Sequence, residues 1–329
     1  MILAGDIGGT RTRLALLERD GGRLRLRAEE AFASGEHPGL EEILRLFRAR
    51  HAPPVERASF GVAGPVRDGR CQTTNLPWVV EARSLASVLG LAEAGLINDL
   101  EANAHGLMEL GPEDFTVLNP GDPAAGGHRA MISAGTGLGE AGLFWDGRRH
   151  HPMPSEGGHA DFAPRTDLED DLARHLRSRF GRVSWERVVS GPGLVNIYTF
   201  LRDRSGGGEP EWLRDRMRRG DPAAAVSAAA LESRSGTCAQ ALDLFVSLYG
   251  AEAGNVGLKF MATGGVYVGG GIAPKIVPRL LAGGFVEAFI AKGRMSPLVA
   301  AMPVRVVLNE RTALLGAARH AGEAPGAAA

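Results

Sequence analysis

Residues 2–20 read ILAGDIGGTRTRLALLERD, and the role of the Asp-Ile-Gly-Gly-Thr run at their centre decides the fold. The apolar run Ile2-Leu3-Ala4 leads in and Gly8-Gly9-Thr10 turns the chain. Leu14-Ala15-Leu16-Leu17, with Arg11 and Arg13 interspersed, leads out, the pattern of a β-hairpin. Glycines in the turn can take positive φ and bring backbone N–H groups close to an anion, a concavity suited to phosphate. An ordinary hairpin turn is the plain alternative, and this stretch alone leaves both open.

Outward from the hairpin comes a third strand-like run, Leu24 to Phe32, and then an amphipathic helix around Leu40 to Arg50, with Leu40, Ile43, Leu44 and Phe47 at helical spacing. "RASFGVAGPV", the helix-like "EARSLASVLG" and "GLINDLEANAHG", with a helix starting inside it, follow. Three strands and then alternating helix and strand predict an α/β fold with a mixed sheet. A second Gly-rich hairpin, "AMISAGTGLGEAGLFWDG", has Met131 to Ala134 and Ala141 to Trp145 flanking a turn that contains Thr136, a degenerate echo of the first. "GGVYVGGGIAPKIVPRLL" predicts a strand, a Gly269-Gly270-Gly271 turn facing phosphate or nucleotide, and a Pro-started helix. Helical stretches at Asp167 to Phe180 and Pro192 to Asp203, a break at "DRSGGGEP" and further helices to about Gly254 make the second half larger and more helical. "PVRVVLNERTALLGAARHAG" reads as a strand plus a helix, and "EAPGAAA" as a frayed tail.

A chain of 329 residues has room for about two domains of ~150 residues with a cleft between them. Apolar content of 44%, charged content of 23% and a net charge of −1 leave no electrostatic footprint for nucleic acid or an anionic membrane. Cys71 and Cys238 form no Cys-x-x-Cys pair, so neither zinc nor a disulfide framework is signalled. The N-terminus has no basic leader region and no stretch approaches ~18 apolar residues, so the expected compartment is the cytosol.

Lys259, Lys275 and Lys292 lie outside any Gly-Lys-Ser/Thr, which excludes a Walker-type site. Gly137-x-Gly139-x-x-Gly142 matches the dinucleotide pattern, but "LFWDGRRHH" after it is a strand running into a polar turn, where that fingerprint requires a helix. Asp99 follows an apolar strand run, at the strand end where open α/β sheets place ligands, and can accept a hydroxyl proton; helix capping is its alternative role. Asn98 can donate to and accept from a sugar hydroxyl. In "PSEGGHADFAP", Glu156 and His159 flank two glycines, a polar turn suited to polyol recognition. His150, His151 and His159 do not form a recognised metal-ligand set. Glu186, taken alone, reads as a surface or capping carboxylate.

Seven stretches, "GDIGGTRTRLAL", "TTNLPW", "INDLEANAHG", "SAGTGLGEAGL", "PSEGGHADFAP", "ERVVSGPGLVNIY" and "GGVYVGGGIAPKI", in this order, resemble the bacterial glucokinase family of the sugar kinase/actin/Hsp70 superfamily, across about residues 3 to 320. The resemblance implies two ribonuclease-H-like (actin-like ATPase) α/β domains around a central cleft. Residues 1–109 with 303–322 would form the smaller, 110–302 the larger with helical insertions, and 323–329 a flexible tail. It further implies glucose as substrate, ATP and Mg²⁺ as cofactors, and a homodimer. Asp99 would be the base for the 6-hydroxyl, with Asn98, Glu156, His159 and Glu186 on the other hydroxyls. Asp6 would act near Mg²⁺ through water, and Gly8, Gly9, Thr10, Thr136, Gly137, Gly270 and Gly271 would line the nucleotide. Arg11 stands where the family usually has Asn, Ser155 where Gly is common and Glu140 where an apolar residue is common. The Cys-rich zinc motif of the related ROK kinases is missing. A kinase for another hexose or amino-sugar is the alternative within enzymes. A sugar-sensing regulator is the alternative outside them, disfavoured because no helix-turn-helix segment precedes Met1 and Asp99 is present.

Overall fold

The computed structural model describes residues 1–73 and 76–323. Thr74 and Asn75 of "TTNLPW", and 324–329 of the expected tail, lie outside the described residues, while Glu323 ends the C-terminal helix Thr312–Glu323. The chain divides into two compact units, 1–113 with 152–154 and 309–329, and 114–151 with 155–308.

The first unit begins with β1 (Ile2–Ile7), β2 (Arg11–Asp20) and β3 (Arg23–Ala33), then α1 (Leu40–Arg50) and β4 (Arg57–Val62). A small sheet of β5 (Val66–Arg67), β6 (Arg70–Gln72) and β7 (Val79–Glu81) precedes α2 (Ala82–Leu89), β8 (Gly95–Asn98) and α3 (Asp99–Gly106). The main sheet runs β3-β2-β1-β4-β8, antiparallel across the hairpins and parallel from β1 to β4 to β8. Successive side chains of β1 and β2 go to opposite faces, and both faces are covered, which explains the unbroken apolar runs. Leu3, Leu14 and Leu16 pack with Ile43, Leu44 and Phe47 of α1. Ala4, Ala15 and Leu17 pack with Leu314, Ala317 and Ala318 of the C-terminal helix. That helix lies against α3 closely enough that a Cβ at Gly106 would overlap the Thr312 carbonyl, and one at Gly316 the Ala102 carbonyl. The outer strand β3 is blunted with charge, Arg23, Arg25 and Arg27 all being exposed at its edge.

The second unit repeats the order. Its strands are β9 (Phe115–Asn119), β10 (Arg129–Ala134), β11 (Leu138–Trp145), β12 (His150–Ser155), β13 (Val266–Gly269) and β14 (Val304–Val307), arranged β12-β11-β10-β13-β14-β9. As in the first unit, the hairpin pair β10–β11 is antiparallel and β10–β13–β14 parallel. β14, inside the stretch expected to return to the smaller domain, pairs with β13 and β9 and so completes the second sheet. The helices are α4 (Asp167–Phe180), α5 (Gly191–Ser205), α6 (Glu211–Arg219), α7 (Pro222–Leu231), α8 (Gly236–Lys259), α9 (Val277–Leu280), α10 (Gly284–Ile290) and α11 (Ser296–Ala300). α8 is the spine of this unit, its Leu242, Phe245, Tyr249, Ala253 and Val256 being fully buried. The helix expected after the three glycines is a 3₁₀ turn, Ala273–Ile276, followed by the single turn of α9. Pro274 and Pro278 each remove a backbone donor, which keeps a longer α-helix from forming there.

Candidate active site

In the first unit the hairpin turn is held from below. Gly8 N donates to Arg11 O at 3.0 Å, and the buried Ser34 donates its hydroxyl to Gly8 O at 2.8 Å while its amide donates to Thr10 O at 3.1 Å. Thr12 Oγ1 and Ser34 Oγ share a further bond at 3.0 Å. The amides of Gly9 and Thr10 donate to no acceptor among the described residues. Rigid backbone with free donors is an anion-binding arrangement. Asp6 stands opposite Arg13 in the ladder, and the two form an ion pair, Arg13 Nη2 to Asp6 Oδ2 at 3.0 Å. Arg11 is exposed.

β1, β4 and β8 run parallel with Ile7 opposite Val62 and Val62 opposite Asn98, so the hairpin turn and the start of α3 leave the same end of the sheet. The helix cap falls to Asn98: its Oδ1 accepts from Leu100 N at 2.8 Å and Glu101 N at 3.4 Å, and its Nδ2 donates to Gly64 O at 3.0 Å. Asp99 Oδ1 also accepts from Leu100 N, at 2.9 Å. Capping therefore does not by itself account for Asp99, because Asn98 already satisfies the first orphan amides.

In the second unit the sequence-predicted residues gather around the start of β11. Gly135 N donates to Gly137 O and Gly191 N to Gly135 O, both at 2.8 Å, fixing the turn that carries the exposed Thr136. Glu186, half-buried, accepts from Leu138 N at 3.0 Å and lies directly over Gly137, where a Cβ would come within 2.6 Å of its Oε2. Glu156 and His159 are exposed on a 3₁₀ turn closed by His159 N to Glu156 O at 3.0 Å. That turn lies flat on β11, since side chains at Gly157 and Gly158 would overlap Glu140 and the Leu138 carbonyl. Gly270, at φ +82°, rests on the Ala134 backbone, and Gly271 is open. Only glycine takes that φ without strain.

Two positioning residues were invisible in the sequence. Tyr249 of α8, fully buried, accepts from Ala134 N at 3.1 Å and directs its hydroxyl to Gly269 O at 3.1 Å and Ile132 O at 3.3 Å. It ties the end of β10 to the end of β13, immediately below both glycine turns. Ser34 does the same for the first hairpin. Neither sits in a motif; only the sheet topology brings them to the turns.

His150 bonds to Gly127 O at 3.0 Å, His151 pairs with Asp146 at 2.6 Å, and no group of three His, Cys, Asp or Glu able to hold a metal is found among the described residues. After Gly142, strand β11 (Leu138–Trp145) continues through Leu143–Trp145, so the expected strand and not a dinucleotide-binding helix follows the Gly137-x-Gly139-x-x-Gly142 pattern.

Two units of this topology, each with a glycine hairpin, make up the two-domain actin-like ATPase fold. The comparisons make the class particular. The sequence pattern of the Glucokinase family matches residues 3–324. A Synechocystis glucokinase is 44% identical over 343 residues, covering 96% of each chain. The crystal structure of a glucokinase from an Antarctic psychrotroph superposes with a TM-score of 0.84 at 31% identity, covering 98% of this chain and 99% of that one. A ROK family glucokinase from Streptomyces griseus, solved in complex with glucose and AMPPNP, shares the fold with a TM-score of 0.65 at 21% identity, covering 97% and 98%. The chain belongs to the glucokinase family, a family of ATP-dependent hexose kinases.

Proposed function

We propose that the chain transfers the terminal phosphoryl group of ATP to the 6-hydroxyl of glucose, giving glucose 6-phosphate and ADP. The observation that most supports this reading is Asp99, a carboxylate one residue beyond β8 whose capping role is already filled by Asn98. Asp99 accepts the 6-hydroxyl proton as that oxygen attacks phosphorus and the bond to the ADP oxygen breaks. Asn98, with one amide hydrogen on Gly64 O, keeps the second for a sugar hydroxyl. Glu156, His159 and Glu186 hold the remaining hydroxyls. Glu186 uses one oxygen on Leu138 N, so a sugar on the other is tied mechanically to the Thr136-Gly137 turn.

Phosphoryl transfer asks a protein chiefly for positioning and for charge stabilisation. The free amides of Gly9 and Thr10, on a turn that Gly8 closes through its own amide, and the turns at Thr136-Gly137 and Gly270-Gly271 suit that need. Mg²⁺ fits the first hairpin in a limited way: Asp6 has Oδ2 on Arg13, and no dedicated cage exists among the described residues. Asp6 would therefore hold the ion through water, with phosphate oxygens as its main ligands. When bound, Mg²⁺ supplies neutralising charge to the phosphates. We read the enzyme as a cytosolic homodimer. The family resemblance supports the dimer, and Cys71 and Cys238, both buried and unpaired, agree with a reducing compartment. Among the described residues, no helix is long and apolar enough to cross a membrane.

The test is ADP release by the purified chain with ATP and a panel of hexoses and amino-sugars. Glucose is expected to give the highest kcat/KM. A higher value for another sugar would reassign the substrate, and sugar binding without turnover would leave a regulator.

A further inference from the structure

Glu140 on β11 has no part in this chemistry and yet lies beneath it. It is 1% exposed, and its Oε1 meets no hydrogen-bond donor. The charge of Glu252 on α8, which is fully buried, acts on it. Both Glu252 oxygens are occupied by donors, Oε1 by Lys259 Nζ at 3.0 Å and Oε2 by Asn255 Nδ2 at 2.7 Å. Glu252 has a donor on each oxygen while the buried Glu140 Oε1 has none, so of these two buried acids it is Glu140 that keeps a proton. A neutral acid also explains how a side chain this buried is tolerated without a cation of its own.

The nearby cations are engaged by other partners. Lys292 donates to Asn255 Oδ1 at 2.6 Å and to Ala251 O at 2.7 Å, and Arg165, paired with Glu169 at 2.6 Å, stands beyond it. Burial first, then the Glu252 charge, push Glu140 up to about 8, with Lys259 opposing. Burial first, then Arg165, push Lys292 down to about 8. On its other flank Glu140 carries the turn: Oε2 fills the space where a Gly157 side chain would go, and Ser155 Oγ accepts from Gly157 N at 2.9 Å.

We propose that Glu140 is a positioning residue, a neutral carboxylic acid that forms the floor of the Glu156–His159 turn and holds it, through Gly157, in the geometry that receives the sugar hydroxyls. The proposal rests on the assignment of Glu156 and His159 to the sugar. Loss of the proton would set two like charges side by side in a water-poor site and lift the floor. An apolar residue at 140 would have no such response.

The experiment is the glucose KM of the wild type and of Glu140→Gln between about pH 6.5 and 9.5. The wild-type KM should rise on the order of tenfold above about pH 8 while kcat changes less than about twofold, and the Gln variant should show a flat KM. Coinciding profiles would overturn the proposal. Hydrogen exchange of the 155–162 segment at about pH 7 and 9 gives a second readout that needs no turnover, with Glu140→Leu alongside should the Gln variant fold poorly. The wild type should lose protection there at the higher pH, beyond the intrinsic rate change, and the variants should keep it. Equal losses in wild type and variants would reject the floor. If glucose were not a substrate at all, the sugar assignment would fall, and the exchange comparison would still decide whether Glu140 holds the turn.

Discussion

The two hairpins have one topology and opposite interiors. β1–β2 keeps its charges at the surface, with Asp6 and Arg13 paired and about a fifth to a quarter exposed, and its turn is pinned by the small hydroxyls of Ser34 and Thr12. β10–β11 buries its charge: Glu140 lies inside, Tyr249 pins the strand ends from a helix, and a carboxylate from outside the sheet, Glu186, grips the strand after the turn. The first hairpin is thus suited to meet a charged ligand directly. The second is suited to hold other residues in place, and substitutions should separate the two roles.

The largest effect is expected on the first unit. Asp99→Asn preserves shape and removes the proton acceptor, so kcat should fall by about 10²–10⁴-fold with a smaller change in glucose binding. Steady-state kinetics of the purified variant decide it. Near-normal turnover would reduce Asp99 to a second acceptor for Leu100 N.

The local elements of both hairpins were legible in the sequence, and the reason is that neighbouring residues write them. Hairpins, glycine turns and the strand-to-helix step at Asn98-Asp99 are written in neighbouring residues, as is α1, whose apolar spacing gave its ends as observed. What could not be read depends on pairing across the chain. Tyr249 lies 115 residues from the amide it accepts from. Glu140 looked only like a departure from an apolar position, because its partner Glu252 comes from a helix whose spacing says nothing about β11. The β14 strand was read correctly as a strand, but which sheet it joins is a matter of topology that its four residues do not encode.

Second in size are the carboxylates of the second unit. Glu156→Ala and Glu186→Ala should lower kcat/KM for glucose by up to about 10²-fold, mainly through KM, because a misplaced hydroxyl loses its near-attack position. Glu186→Ala should also raise the KM for ATP, since Leu138 N and the Thr136-Gly137 turn lose their anchor; Glu156→Ala should not. Equal effects of the two variants on ATP would break the proposed link.

Tyr249→Phe removes one hydroxyl and leaves Ala134 N and Gly269 O without it, a cost of about 1–3 kcal/mol for buried groups left unsatisfied. Denaturant unfolding should show that loss with an unchanged m-value, whereas an unaffected midpoint would mean the strand ends hold without the clamp. The buried acid gives a pH-dependent counterpart. Glu140 keeps its proton in the fold up to about 8 against an ordinary value of 4.5, so its stabilising contribution is full below about pH 4.5 and declines as pH rises towards 8. The Tm difference, Glu140→Gln minus wild type, should therefore grow between about pH 5 and 8, and a constant difference would contradict the burial of a neutral acid.

The smallest effect is expected at Arg11, which follows the first glycine turn. A guanidinium contacting phosphate in a site closed to water would contribute a charge-assisted, forked hydrogen bond. The structure shows Arg11 exposed, with its carbonyl, not its side chain, closing the turn onto Gly8 N at 3.0 Å. The backbone role survives substitution, and an exposed charge is heavily screened by water and salt. Arg11→Asn should accordingly change the KM for Mg-ATP by less than about threefold, and what change there is should vanish as salt is raised. A tenfold rise in KM that persists at high salt would show that Arg11 folds onto the phosphates when nucleotide binds, and the first hairpin would then share the second one's habit of enclosing its charge.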